Sequence, residues 1–172
     1  MDTDELKRRY KAGERDFRQV SLSEADLPKA DLHSANLSKA NLFQANLNKA
    51  NLTGANLTGA NLYKARLTKA DLRRASLNET TLNGADLRGA NLSRASLIKA
   101  DLFGANLSGA ILSHTHLSGA SLSRADLKHA HLSWADLRKA DLNQAHLNGV
   151  DLSGAKFCNT TMPDGSIRND DC

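Results

Sequence analysis

From Ala50 to Leu62 the chain reads ANLTGANLTGANL: Ala50-Asn51-Leu52-Thr53-Gly54, the same five residues again from Ala55, then Ala60-Asn61-Leu62. The phrase runs outward in both directions. Every fifth residue from Leu22 to Leu152 is leucine without exception, and the residue two places earlier is nearly always alanine. A fixed short period outranks local propensity in deciding architecture. Five fits neither the 3.6-residue helical face nor the two-residue strand face. If alanine and leucine, two apart, both point inward as on a short strand, the two residues that follow must turn the chain. Each pentapeptide then forms one side of a coil, and successive coils stack as parallel strands about 4.8 Å apart.

The turn residues support this. With the central leucine called i, Pro28 and Pro163 both fall at i+1, the turn corner that proline's fixed φ suits. Nine of the eleven glycines fall at i+2, from Gly54 to Gly154, and no Val, Ile or Thr does so within the array. Glycine adopts positive φ freely and β-branched residues tolerate it worst, so i+2 is expected in the left-handed region. Lysine and arginine also occupy i+2, which predicts a mixture of turn types. Phe43, Tyr63 and Phe103, all at i+1, are separated by multiples of twenty residues, and Lys29, Lys49 and Lys69 share that spacing. Both point to four pentapeptides per coil.

These features resemble the pentapeptide repeat protein family. The resemblance covers about residues 15–164, thirty consecutive pentapeptides with twenty-seven unbroken central leucines. The ends are similar to cyanobacterial members: GERDF at Gly13–Phe17, and FCNTTMPDG at Phe157–Gly165 before a final cysteine. The resemblance implies an all-β fold, a right-handed quadrilateral parallel β-helix. At one strand spacing per coil the rod would be about 36 Å long. Each buried leucine is worth about 1.5–3 kcal/mol, an upper estimate, so the array compensates for an aromatic content of only 4%. Phe17, Phe157 and Met162 replace leucine only at the ends, where larger side chains can plug the open coil. Thr80 and Thr115 replace alanine, and their hydroxyls are expected to bond to local backbone. Stacked asparagines, Asn36 with Asn56 and Asn41 with Asn61, are expected to form amide ladders.

The expected organisation is a short N-terminal capping helix in 1–14, the β-helix in 15–164 and a tail in 165–172. Asp2 with Glu5 has capping-box spacing, Gly13 suits the position after the helix, and Leu6 and Tyr10 would face the first coil. The only cysteines, Cys158 and Cys172, allow a disulfide that staples the tail or two free thiols, and a cytoplasmic location argues against a stable bond. Two cysteines supply too few ligands for a metal. The opening MDTDELKRRYKAGER lacks the apolar stretch of a secretory leader, and no apolar run approaches a membrane span, so a cytoplasmic location is expected.

Chemistry is hard to find. A coil filled with leucine and alanine has no interior pocket, which argues against an enzyme and against a cofactor. His114, His116, His129 and His131 sit at corners, with His33 and His146 apart and Asp136 one coil beyond His116, but zinc wants three or four convergent ligands. What remains are faces. Lys29, Lys49 and Lys69, with Arg66 and Arg88, make one basic face; Arg73, Arg74 and Arg94 lie on the next. The family resemblance admits a DNA mimic that protects a topoisomerase such as gyrase, but mimicry needs carboxylates, and 23 Lys plus Arg outnumber 19 Asp plus Glu. A basic nucleic-acid-binding rod is a further alternative, though nucleic acid is the less expected partner: the basic face is interspersed with Asp26, Asp86 and Asp126. The reading favoured is a rigid scaffold acting by contact with an unidentified protein, or with a second copy of itself, through the apolar strip Phe43, Tyr63 and Phe103.

Overall fold

One pentapeptide shows how every backbone N–H of the repeat is satisfied. In Ala40-Asn41-Leu42-Phe43-Gln44, the amides of Leu42 and Gln44 donate to Asn61 O and Tyr63 O of the next coil at 2.8 and 2.9 Å. The amide of Asn41 donates to Val20 O of the previous coil at 2.9 Å, and that of Ala40 closes the preceding turn on Leu37 O at 3.0 Å. The fifth amide, Phe43 N–H, donates to the side-chain oxygen of Asn41 at 3.2 Å. Asparagine or aspartate before the leucine therefore satisfies the one amide that the coil leaves over. At Pro28 there is no such amide to satisfy.

The computed structural model describes residues 1–172. Parallel one-residue bridges join residues twenty apart along the whole array, from Asp16 with Asn36 to Asp141 with Thr161. Four pentapeptides thus complete one coil. The contacts are isolated bridges and not continuous strands, because the chain turns after every third extended residue. The core is the line of inward leucines and alanines: Leu22 to Leu142 are buried, as are the alanines from Ala35 to Ala145.

The turn corner differs from expectation. All i+2 positions from Gln19 to Asn159 have positive φ, twenty non-glycine residues between 51° and 60° and nine glycines between 62° and 68°. No change of hand accompanies lysine, arginine or glutamine, so the expected mixture of turn types is not seen in φ at this corner. Unbranched side chains accept the left-handed region at a cost of about 1–2 kcal/mol each, which the coil's hydrogen bonds offset. The inward threonines also differ in part. Thr115 Oγ1 donates locally, to Leu112 O at 2.6 Å. Thr80 Oγ1 instead donates to Leu57 O of the neighbouring coil at 2.9 Å, and Thr160 repeats that geometry with Leu137 O at 2.7 Å. The amide ladders are sparse. Asn61 reaches Asn41 at 3.4 Å, whereas Asn36 and Asn56 each serve their own turn, accepting from Ser38 N–H and Thr58 N–H.

The ends are closed by different devices. Helix α1 (Thr3–Lys11) is capped by Asp2, whose carboxylate accepts from Glu5 N–H at 2.7 Å. It buries Leu6 and sets Tyr10 against Phe17, with ring centroids 6.5 Å apart. At the other end, β1 (Thr160–Thr161) and β2 (Ile167–Arg168) form a short antiparallel hairpin. The Arg168 guanidinium lies 3.7 Å from the centroid of buried Phe157. Asp171 N–H donates to Phe157 O, and Phe157 N–H to the Asp171 carboxylate, both at 2.8 Å. Cys158 and Cys172 are joined in a disulfide, Cα atoms 4.9 Å apart. No helix is long and apolar enough to cross a membrane.

Candidate interaction faces

With its interior filled, the chain presents its variable side chains in outward columns. Three side chains per repeat form them: i−1, i+1 and i+2.

The aromatic column is split. Bridges from Asn41 through Asn61 and Thr81 to Asp101 put Phe43, Tyr63 and Phe103 on one face. Phe43 and Tyr63 stack in parallel, centroids 5.8 Å apart and planes 7° apart, with the Lys64 ammonium 5.2 Å from the Tyr63 ring. Phe103 stands alone, 43% exposed, under the Arg124 guanidinium. Between them Asn83 donates to Asp101 at 2.8 Å and leaves its carbonyl oxygen buried without a partner.

The basic face is real as a column and weaker as a charge. Lys29, Lys49 and Lys69 share one corner with φ between 57° and 59°, and the bridges set Asn46, Arg66 and Asp86 in line beside them. Arg88, however, is spent on Asp86, with contacts of 2.6 and 2.8 Å. This is one case of a recurring clamp. Wherever Asp at i−1 is followed by Arg at i+1, the two pair across the central residue: Asp16 with Arg18 across Phe17, and Asp71 with Arg73, Asp86 with Arg88 and Asp136 with Arg138 across leucine. The hydrogen bond from the arginine side chain, helped by the same residue's backbone N–H, holds each of these four carboxyls below the usual range. Lys128 and His33 approach Asp126 and Asp31 in the same register. The Asp-x-Arg pattern was legible in the chain and is the signal that a count of charges misses.

The corner of Arg74 and Arg94 carries His114 and Trp134 one and two coils further on. Trp134 is 62% exposed, and its ring lies parallel to His114, centroids 6.3 Å apart. Trp134 belongs to no aromatic series in the chain, so periodicity does not mark it. Its placement at i+2, where side chains leave the corner, was the available signal. Ile98 and Ile111 are also exposed. The corner histidines do not assemble with carboxylates into a cluster of three or more metal-ligating groups. Three surface recesses exist, of about 520, 320 and 480 Å³, and no core leucine lines any of them.

The pentapeptide repeats family matches in eight copies across residues 16–42, 35–74, 70–109, 100–138 and 125–162. The chain belongs to the pentapeptide repeat family. Among solved structures it is 35% identical to HetL, a pentapeptide repeat protein involved in heterocyst differentiation regulation from the cyanobacterium Nostoc. That match covers 98% of this chain and 100% of the other, with a TM-score of 0.32. It is 25% identical to Rfr23 from the cyanobacterium Cyanothece, over 93% and 98% of the two chains, TM-score 0.33. Full-length QnrB1, a plasmid-mediated fluoroquinolone resistance protein, shares 16% identity over 82% and 92%, TM-score 0.53, a likeness of fold alone. No curated protein matches the chain.

Proposed function

We propose that the chain is a right-handed quadrilateral β-helix that works without catalysis, as a rigid scaffold gripping a protein partner by its outward columns. One observation carries the reading: leucines from Leu22 to Leu142 fill the coil completely, so specificity can reside only in the columns outside it. The aromatic strip is the favoured surface. Phe43, Tyr63 and Phe103 are exposed or half-exposed in a chain with seven aromatic residues (Trp 1, Tyr 2, Phe 4), and interface cores favour such side chains.

A gyrase-protecting DNA mimic is disfavoured on two counts, the net charge of +4 and the clamps that neutralise Asp16, Asp71, Asp86 and Asp136. The basic column Lys29, Lys49, Lys69, Arg66 and Arg88 is the second candidate surface, reduced by the Arg88–Asp86 pair. We place the protein in the cytoplasm; reducing conditions there would open the Cys158–Cys172 bond, leaving the hairpin and Asp171 to hold the tail. The test is affinity capture with the intact chain, followed by reconstitution with the purified partner. Phe43→Ser/Tyr63→Ser/Phe103→Ser should melt like the parent and lose the partner or the self-associated state. Binding that survives the triple substitution intact would exclude the strip.

A further inference from the structure

The corner column that runs Gly54, Arg74, Arg94, His114, Trp134, Gly154 has positive φ throughout. Successive members lie one coil apart, and the left-handed backbone throws each side chain outward. Glycine flanks the four long side chains on both sides, with only Ser34 beyond Gly54, so they form a ridge with definite ends. From Arg74 to Trp134 it spans three coils, about 14 Å.

Its lower half carries uncompensated charge. The carboxylate on the same face, Asp71, is held by Arg73 at 2.6 and 2.8 Å, and the equivalent residue one coil on is the neutral Asn91. Arg74 and Arg94 have no such clamp. They rim a recess of about 320 Å³ with Arg73 and the hydroxyl residues Thr53 and Ser93. Two guanidinium groups one coil apart repel each other, a cost removed by a ligand that brings negative charge.

The upper half defines the ligand further. One face of the Trp134 ring is against His114, planes 5° apart. The other lies over Gly154, where an added methyl would sit 2.7 Å from the ring. The ring is held in line with the column, and most of its surface stays open to solvent. Single-stranded nucleic acid needs open aromatic faces on which bases stack, and a track of cations along its phosphates. This ridge has a single indole, already paired with His114, and only two unclamped cations. It offers two adjacent cations, a row of serines (Ser113 and Ser133 at 3.0 Å from one another), the exposed Trp134 and, one coil earlier at the other end of the same face, the exposed Ile111.

We propose that this ridge docks an acidic peptide segment of the protein partner. Carboxylates on alternate residues of an extended strand, about 6.8 Å apart, would meet Arg74 and Arg94, and an apolar side chain beyond them would lie against Trp134 and Ile111. The inference rests on the scaffold reading and supplies the partner's chemistry.

Trp134 is the sole tryptophan, so its emission reports on the ridge directly. The full chain is titrated with an acetylated pentapeptide bearing Glu at positions one and three and Leu at five. The same peptide with Lys for Glu, oligothymidylate and inorganic phosphate are titrated in parallel. The Glu peptide should shift the emission saturably and lose affinity as salt is added. Arg74→Ser/Arg94→Ser, with serine already tolerated in this column at Ser34, should keep the melt and bind about tenfold more weakly or worse. Ile111→Ser should weaken binding with the salt dependence unchanged. No response to the Glu peptide, an equal response in the arginine variant, or a response matched by phosphate or exceeded by oligothymidylate would each overturn the proposal. The scaffold reading falls separately: if the reconstituted partner stays on the arginine variant and leaves the aromatic-strip variant, the ridge is excluded and the scaffold stands.

Discussion

Gly104 and Gly154 occupy the same kind of corner, with φ of 63° and 68°, and differ in what a side chain would meet. Around Gly104 there is open space; at Gly154 the Trp134 ring is already in place. Gly104→Ala should therefore cost only the left-handed penalty, about 1–2 kcal/mol, with no change in tryptophan emission. Gly154→Ala should cost more and shift the emission by displacing the ring. Equal costs with unchanged emission would contradict the placement of Trp134. In the core, Leu87→Ala should cost about 3–5 kcal/mol, because a stack of coils cannot collapse around one missing side chain. Much at this scale was legible in the chain. The nine glycines and the missing β-branched residues marked the positive-φ corner, and the leucine period marked the core. Other features were not legible because they depend on neighbours brought together by the stacking. Thr80 bonds across coils and not locally, and Trp134 became visible as a surface feature only once His114 and Gly154 framed it.

At the scale of elements, the ends of the rod need separate closure, since their coils have a neighbour on one side only. Helix α1 closes one end with Leu6 and Tyr10 over Phe17; the hairpin β1–β2, Arg168 and the disulfide close the other. The helix could be read from Asp2, Glu5 and Gly13. The hairpin could not, because Thr160–Thr161 still follows the repeat and pairs outside it only when Ile167–Arg168 folds back. The two cysteines left bond and thiols both open, with the expected cytoplasmic location leaning to thiols, since spacing alone carries no geometry. The bond closes a loop with a sequence separation of 14, a size for which a disulfide contributes roughly 3 kcal/mol by restricting the unfolded chain. Cys158→Ser/Cys172→Ser, or reduction of the parent, should lower the melting temperature and speed tryptic cleavage at Arg168, with the coil's circular dichroism retained. A tail equally resistant with and without the bond would show that the hairpin and Asp171 suffice.

For the molecule as a whole, the Asp-x-Arg clamps set the response to pH. Asp71, Asp86 and Asp136 have folded pKa values depressed first by hydrogen bonds from Arg73, Arg88 and Arg138. Their contribution to stability is complete above the unfolded carboxylate value near pH 4 and is lost as pH falls through the lower folded values. The melting temperature should be level from neutral pH to about pH 5, fall below about pH 4, and fall less in Arg73→Gln/Arg88→Gln/Arg138→Gln. A drop between pH 7 and pH 5 would contradict the assignment of the pH response to the clamps. The central claim is that outward columns, aligned by a twenty-residue coil, carry binding. Its most direct test compares the affinity of the reconstituted partner for two insertions after Gly89, one pentapeptide Ala-Asn-Leu-Thr-Gly and four in succession. Four restore every later residue to its own face, with the columns lengthened by one coil; one moves everything beyond it, Phe103 and Trp134 included, to the next face. Both variants should melt cooperatively, and the single insertion should bind at least about tenfold more weakly than the fourfold one, a difference of about 1.4 kcal/mol. Equal affinity of two folded variants would contradict the account.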